Sequence, residues 1–146
     1  MSKKYFEVCE EEIYFTEERI NEYRREQMCV NIKDFKSVDG LNASFKSWVY
    51  IGRGDSRLNL KRSPLANPYS HLANANAIKC ATRDEAISKY RVWLWNKIKA
   101  GDKEVILALL DIKPSTAVVC HCHPKPCHGS VVKAAAKWLQ SQVVAI

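Results

Sequence analysis

Residues 116–129 constrain this chain more than any other stretch. Thr116-Ala117-Val118-Val119-Cys120 reads as a buried strand. It runs straight into Cys120-His121-Cys122-His123-Pro124-Lys125-Pro126-Cys127-His128-Gly129, and Val131 to Leu139 then carry an apolar face at helical spacing. A strand that turns through a short stiff loop into an amphipathic helix belongs to an α/β arrangement, in which helices cover a sheet. The two prolines stiffen the loop and remove two backbone donors, and Gly129 allows a close approach where the helix begins.

The rest of the chain agrees with that expectation. Thr82-Arg83-Asp84-Glu85 is a capping box, and Ile87, Tyr90, Leu94 and Ile98 follow on one helical face until Gly101. Asp102 suits the cap of a further helix through Val105, Ile106, Leu109 and Leu110, which Pro114 ends. Upstream, Met28–Ile32 and Trp48–Ile51 are expected strands, the second stopping at Gly52-Arg53-Gly54-Asp55. Residues 54–80 read as a long functional loop. A short strand over Tyr5–Val8 and a helix from Thr16 to about Gln27 are expected near the start. The order β–loop–α–α–β–loop–α implies a single-domain open sheet flanked by helices, Rossmann-like, with the Cys/His-rich strand–loop–helix turn near its C-terminal end.

At 146 residues the chain suits one domain with a sizeable core, and 47% hydrophobic residues with four Trp exclude disorder as its main state. No apolar run is long enough to span a membrane, and the first residues turn acidic where a leader would be apolar. The formal charge of +7 is uneven. Residues 1–27 carry 5 basic and 8 acidic side chains, whereas residues 28–146 carry 18 and 8. The acidic first segment reads as an extension packed on the domain 28–146, whose surplus favours anionic partners: phosphates, nucleotides or nucleic acid. Of the six cysteines, Cys9, Cys29 and Cys80 are scattered and read as small buried hydrophobes, while Cys120, Cys122 and Cys127 cluster. That lopsided spacing points to a cytoplasmic protein with a local thiol site, not to a disulfide framework.

Three chemistries compete for the clustered turn. Cys120, Cys122, Cys127 and His128 offer thiolate and imidazole ligands for zinc, although C-x-C-x4-C-H is not the usual pair of knuckles. Alternatively, Cys127 or Cys122 is a nucleophile activated by the helix N-terminus, with His128 as acid or base. In the third reading the backbone around Cys127, Gly129 and Ser130 simply cradles an anion. Strand alternation puts Cys120 and Cys122 on one face and His121 on the other.

Four motifs in series resemble a known family. They are Tyr50-Ile51-Gly52-Arg53, Ser63-Pro64-Leu65-Ala66-Asn67-Pro68-Tyr69, the segment Thr82 to Leu94, and Cys120 to Gly129. Over about residues 28–142 the chain resembles the bacterial and bacteriophage family called domain of unknown function 4326. It departs from that pattern at Ala66, where the family has Gly, and at His121, where an aromatic is common. A weaker likeness is to domain of unknown function 488. The resemblance supports the fold and the site location but brings no reaction with it.

Function is therefore expected from chemistry. In open α/β sheets ligands bind at the C-terminal ends of strands, against helix N-termini. The expected pocket joins the Gly52–Arg53 turn, the Asn67–Tyr69 loop, Arg83 and the Cys/His turn around a nucleotide-like small molecule. Arg53 and Arg83 would grip phosphate, and Asn67 would read a base or sugar edge. The bland reading of Arg83 is an ion pair with the adjacent acids. The alternatives are a nucleic-acid-binding module with a zinc loop, or a phage protein that sequesters its ligand unchanged. Against the former, Trp93, Trp95 and Trp138 sit at core-like helical spacing.

Overall fold

Ala117–Cys120 forms β5, and every residue of it is buried. It is the middle strand of a three-stranded parallel sheet in the order β1-β5-β2, with β1 at Cys29–Asn31 and β2 at Trp48–Tyr50. The computed structural model describes residues 29–72, 77–121 and 128–144. The elements expected at 5–8 and 16–27, and residues 122–127 of the Cys/His turn, lie outside the described residues. Val30 and Tyr50 both face Val119 in register, while Cys29 and Val49 flank Val118.

That register sorts the side chains into two layers. Val118, Cys120, Val49 and Cys29 join the larger core with α2 (Arg83–Lys99), α3 (Lys103–Leu110) and α4 (Gly129–Val144). Val119, Tyr50, Val30 and Trp48 face the smaller core, built with Ile32, Leu41 and Leu58. The first turns of α4 are buried nearly all round, from Val131 to Ala136. A helix enclosed in this way contributes about 1.5–3 kcal/mol for each large apolar side chain it buries. The result is a mixed α/β domain with a small open parallel sheet. Among the described residues, no helix is long and apolar enough to cross a membrane.

Several elements differ from expectation. The first strand ends at Asn31, one residue before the expected Ile32, because Asn31 caps a 3-10 turn at Ile32–Asp34 by accepting from Lys33 N–H at 2.9 Å. Helix α1, Val38–Ser44, has no counterpart in the sequence reading. Its Gly, Asn and Ser are weak helix formers, and the Ser37 side chain accepting from Gly40 N–H is what starts it. The stretch 54–80 is not structureless: an antiparallel bridge joins Asp55 and Leu60, and β3 (Tyr69–Ser70) pairs parallel with β4 (Ile78–Lys79). The helix expected after Thr82 is present as α2 and stops at Gly101, whose φ is +74°.

Candidate functional site

All three strands of the main sheet point the same way, so their C-terminal ends meet on one edge. The chain leaves β2 through Ile51, Gly52, Arg53 and Gly54, and leaves β5 through His121. Tyr50, at the end of β2, folds its ring back over Gly52; a Cβ there would lie 2.5 Å from Tyr50 Cζ and 2.8 Å from Cε1. The close approach explains the glycine. Gly54 is needed for a different reason, its φ of +125°.

Folded back in this way, the Tyr50 hydroxyl accepts from Gly54 N–H at 2.9 Å and lies 2.7 Å from His121 Nε2. Burial pushes the His121 pKa below its ordinary value and the Tyr50 pKa above its own, so both groups are neutral near pH 7. The phenol keeps its own hydrogen after accepting from Gly54 N–H, so the Tyr50–His121 bond forms with either group as the donor, according to the imidazole tautomer. After burial, the Asp55 carboxylate acts most strongly on His121, while on Tyr50 the Gly54 N–H comes next and Asp55 follows it. The Asn31 side-chain amide donates to the His121 carbonyl at 3.3 Å, which ties the third strand to the same edge.

Arg53 reaches across to the Asn-Pro loop. Its Nη1 donates to the Asn67 carbonyl at 2.6 Å and approaches the Tyr69 carbonyl at 3.5 Å. Asn67 is buried, and both ends of its amide go to backbone: Nδ2 donates to the Ala86 carbonyl at 3.3 Å and Oδ1 accepts from Tyr69 N–H at 2.9 Å. The base-reading role expected of Asn67 gives way to a loop-holding one, because each polar atom of the amide already has a partner. The Tyr69 ring lies against α2, with Lys89 Nζ 5.9 Å from its centre. Arg83 opens α2 and is half-buried.

His128 immediately precedes α4 and is buried. Its Nε2–H donates to the Ile51 carbonyl at 2.9 Å, and its ring meets Tyr90 edge-on at 4.8 Å. A carbonyl can only accept, so the lone pair of this imidazole is on Nδ1. Burial lowers its pKa to about 4. At neutral pH it is therefore an uncharged pin between β2 and α4, poorly matched to the acid–base work expected of it. Gly129 and Ser130 form the first turn of α4, with Ser130 buried.

The thiols divide differently from expectation. Cys29, read as a bland residue, has its sulfur 3.7 Å from that of Cys120. The pair is diagonal in the ladder, since Cys29 stands opposite Val118. The two sulfurs are not joined as a disulfide. Cys122 and Cys127, expected as nucleophiles and as ligands, lie outside the described residues. Among the described residues no group of three or more His, Cys, Asp or Glu is placed to hold a metal ion.

A small α/β domain with its polar residues gathered at the C-terminal edge of a parallel sheet is the class these features define. A family described as a domain of unknown function, DUF4326, matches residues 30–138, so the chain belongs to that family. No curated protein and no solved structure matches it.

Tyr50, His121 and Lys133 are the polar groups that sequence reasoning passed over. Tyr50 lay within the first motif and His121 opposite Cys120 by alternation, so their meeting was signalled only in part. Lys133 is buried on α4, and its ammonium donates to the carbonyls of Thr116 at 2.8 Å, Pro114 at 3.1 Å and Lys113 at 3.4 Å.

Proposed function

We propose that the protein binds a phosphate-bearing small molecule, a nucleotide or nucleotide-derived ligand, at the C-terminal edge of its parallel sheet. The observation that carries this reading is the convergence there of Arg53, the Tyr50–His121 pair and the start of α4, held by the His128–Ile51 hydrogen bond. The relation of strand ends to a helix N-terminus is the one a Rossmann-like domain uses for phosphates, and that likeness is part of the proposal. Arg53 supplies the cation, and His121 a neutral imidazole beside the ligand. Gly129 and Ser130 add backbone donors at the helix start. Thiol chemistry by Cys122 or Cys127, zinc held by the same turn with Cys120, and sequestration without turnover are extensions of this reading.

Calorimetric titration of mononucleotides and dinucleotides into the full chain tests it. Saturable binding is expected, weakened about tenfold or more by Arg53→Ala, the cost of about 1.4 kcal/mol or more for one lost charge-assisted contact. Asn67→Ala loosens the same loop without removing a charge and is expected to weaken binding less. Absence of binding by any nucleotide overturns the proposal, and equal losses in the two variants overturn the phosphate role of Arg53. Mass analysis of the recovered ligand separates turnover from sequestration.

A further inference from the structure

Trp93 does not share the fate of its neighbours. Trp95 and Trp138 are buried, 2% and 4% exposed, and pack edge-on at 5.3 Å between ring centres. Trp93 is half-buried and lines an open groove of about 760 Å³ along the outer face of α2, with Tyr69, Lys89, Val92, Asn96 and Lys97. Its inner side is braced. Tyr90 stacks on it at 5.4 Å and 28°, is itself fully buried, and donates its hydroxyl proton to the Leu65 carbonyl at 2.7 Å. Lys97 Nζ stands 5.7 Å from the Trp93 ring centre, and Lys89 Nζ 5.9 Å from that of Tyr69. Tyr90 precedes Trp93 by three residues and Lys97 follows by four, so they approach the indole from opposite sides along the helix axis.

We propose that this groove binds single-stranded nucleic acid, with a base stacked on Trp93 and the flanking phosphates met by Lys89 and Lys97. A base sliding onto the indole takes the place of the Lys97 ammonium, which then turns to a phosphate at its flank. Its present ion pair with Asp102, 3.5 Å long and half-exposed, is cheap to give up. Among the described residues the groove's one carboxylate is Glu85, whose Oε1 accepts from the backbone N–H of Ala81 at 2.7 Å. An apolar protein segment in the same place would cover two ammonium groups without compensating them. A polyanion with flat faces satisfies both features, and the surrounding body, with 18 basic and 8 acidic residues over 28–146, favours the same sign. This site lies on α2 and does not depend on the ligand proposed for the sheet edge.

Fluorescence anisotropy of a labelled oligothymidine of about 15 nucleotides, a length that covers one such binding site, tests the proposal with the full chain. Saturable binding is expected, weakening steeply between about 50 and 200 mM salt. Trp93→Ala should weaken it about tenfold, while Trp93→Phe keeps most of it. The double variant Lys89→Gln with Lys97→Gln, at two surface positions, should flatten the logarithmic salt slope by about 1.4, whereas Lys36→Gln, an exposed lysine elsewhere, should leave it essentially unchanged. No binding, equal affinity for a duplex of the same length, or wild-type affinity in either the folded Trp93→Ala or the double lysine variant overturns it. Nucleotide titrations at the sheet edge are read with mononucleotides and Arg53→Ala, so the two proposals fail separately.

Discussion

Gly52 shows how a single missing side chain shapes the candidate site. With no Cβ in the way, the Tyr50 ring lies over the turn and its hydroxyl bridges Gly54 N–H and His121. Gly52→Ala should displace the ring and cost about 1–3 kcal/mol, as overpacking does, with loss of the His121 contact. Urea unfolding together with the His121 imidazole resonances checks both effects. Tyr50→Phe is gentler on packing but deprives two groups of a partner, at about 1–3 kcal/mol. His128 makes a separate, pH-dependent prediction. It protonates near its ordinary 6.5 when unfolded and at about 4 when folded. Between those values the unfolded chain holds more protons, so stability falls as pH drops from about 6.5 to about 4 and this contribution levels off below. The full effect is at most on the order of 3 kcal/mol. His121, shifted the same way by burial, adds a slope of the same sign. Replacing His128→Gln should flatten the stability profile in that window, measured by denaturant titration at several pH values.

At the scale of elements, the helix caps were the most legible features. Thr82 Oγ1 accepts from Glu85 N–H at 3.1 Å and Asp102 Oδ1 from Val105 N–H at 3.2 Å, as their spacing in the sequence implied. One detail differs: the Glu85 carboxylate reaches the N–H of Ala81, not that of Thr82. Thr82→Ala should therefore cost about 1 kcal/mol while the Glu85 contact survives. Helix α1 was illegible because its seven residues carry no apolar stripe, only Leu41 being buried. Lys133 was illegible for the opposite reason: a charged residue on an apolar helix reads as solvent-facing. Yet it is buried at 7% exposure, and burial pushes its pKa below the ordinary value. Its ammonium fastens the turn before β5 to α4. Lys133→Met would keep the aliphatic packing but leave the Thr116, Pro114 and Lys113 carbonyls short of a donor. A loss of about 1–3 kcal/mol is expected in thermal or urea unfolding, with a larger effect than substitution of the exposed Lys137.

For the whole molecule, strand order decides where chemistry can occur. The last strand in sequence enters between the first two, because β5 is the most completely apolar strand and the centre is where both its faces and both its edges are covered. Its insertion brings His121 to Tyr50 across 71 residues and Cys120 to Cys29 across 91. The same closure sets His128 against the Ile51 carbonyl, 77 residues away.

By itself the sequence determined what depends on neighbours within a few positions: the buried strand 117–120, the caps of α2 and α3, the stop at Gly101 and the location of the motifs at strand ends. These follow from period, capping chemistry and glycine, all of which act over one turn of chain. Only the tertiary structure decided which polar groups have work left to do. Asn67 is consumed by the backbone, His128 is made a neutral pin, and Trp93 is left lining a groove while Trp95 and Trp138 are buried. Each outcome depends on burial and on partners far away in sequence, and a local pattern carries neither.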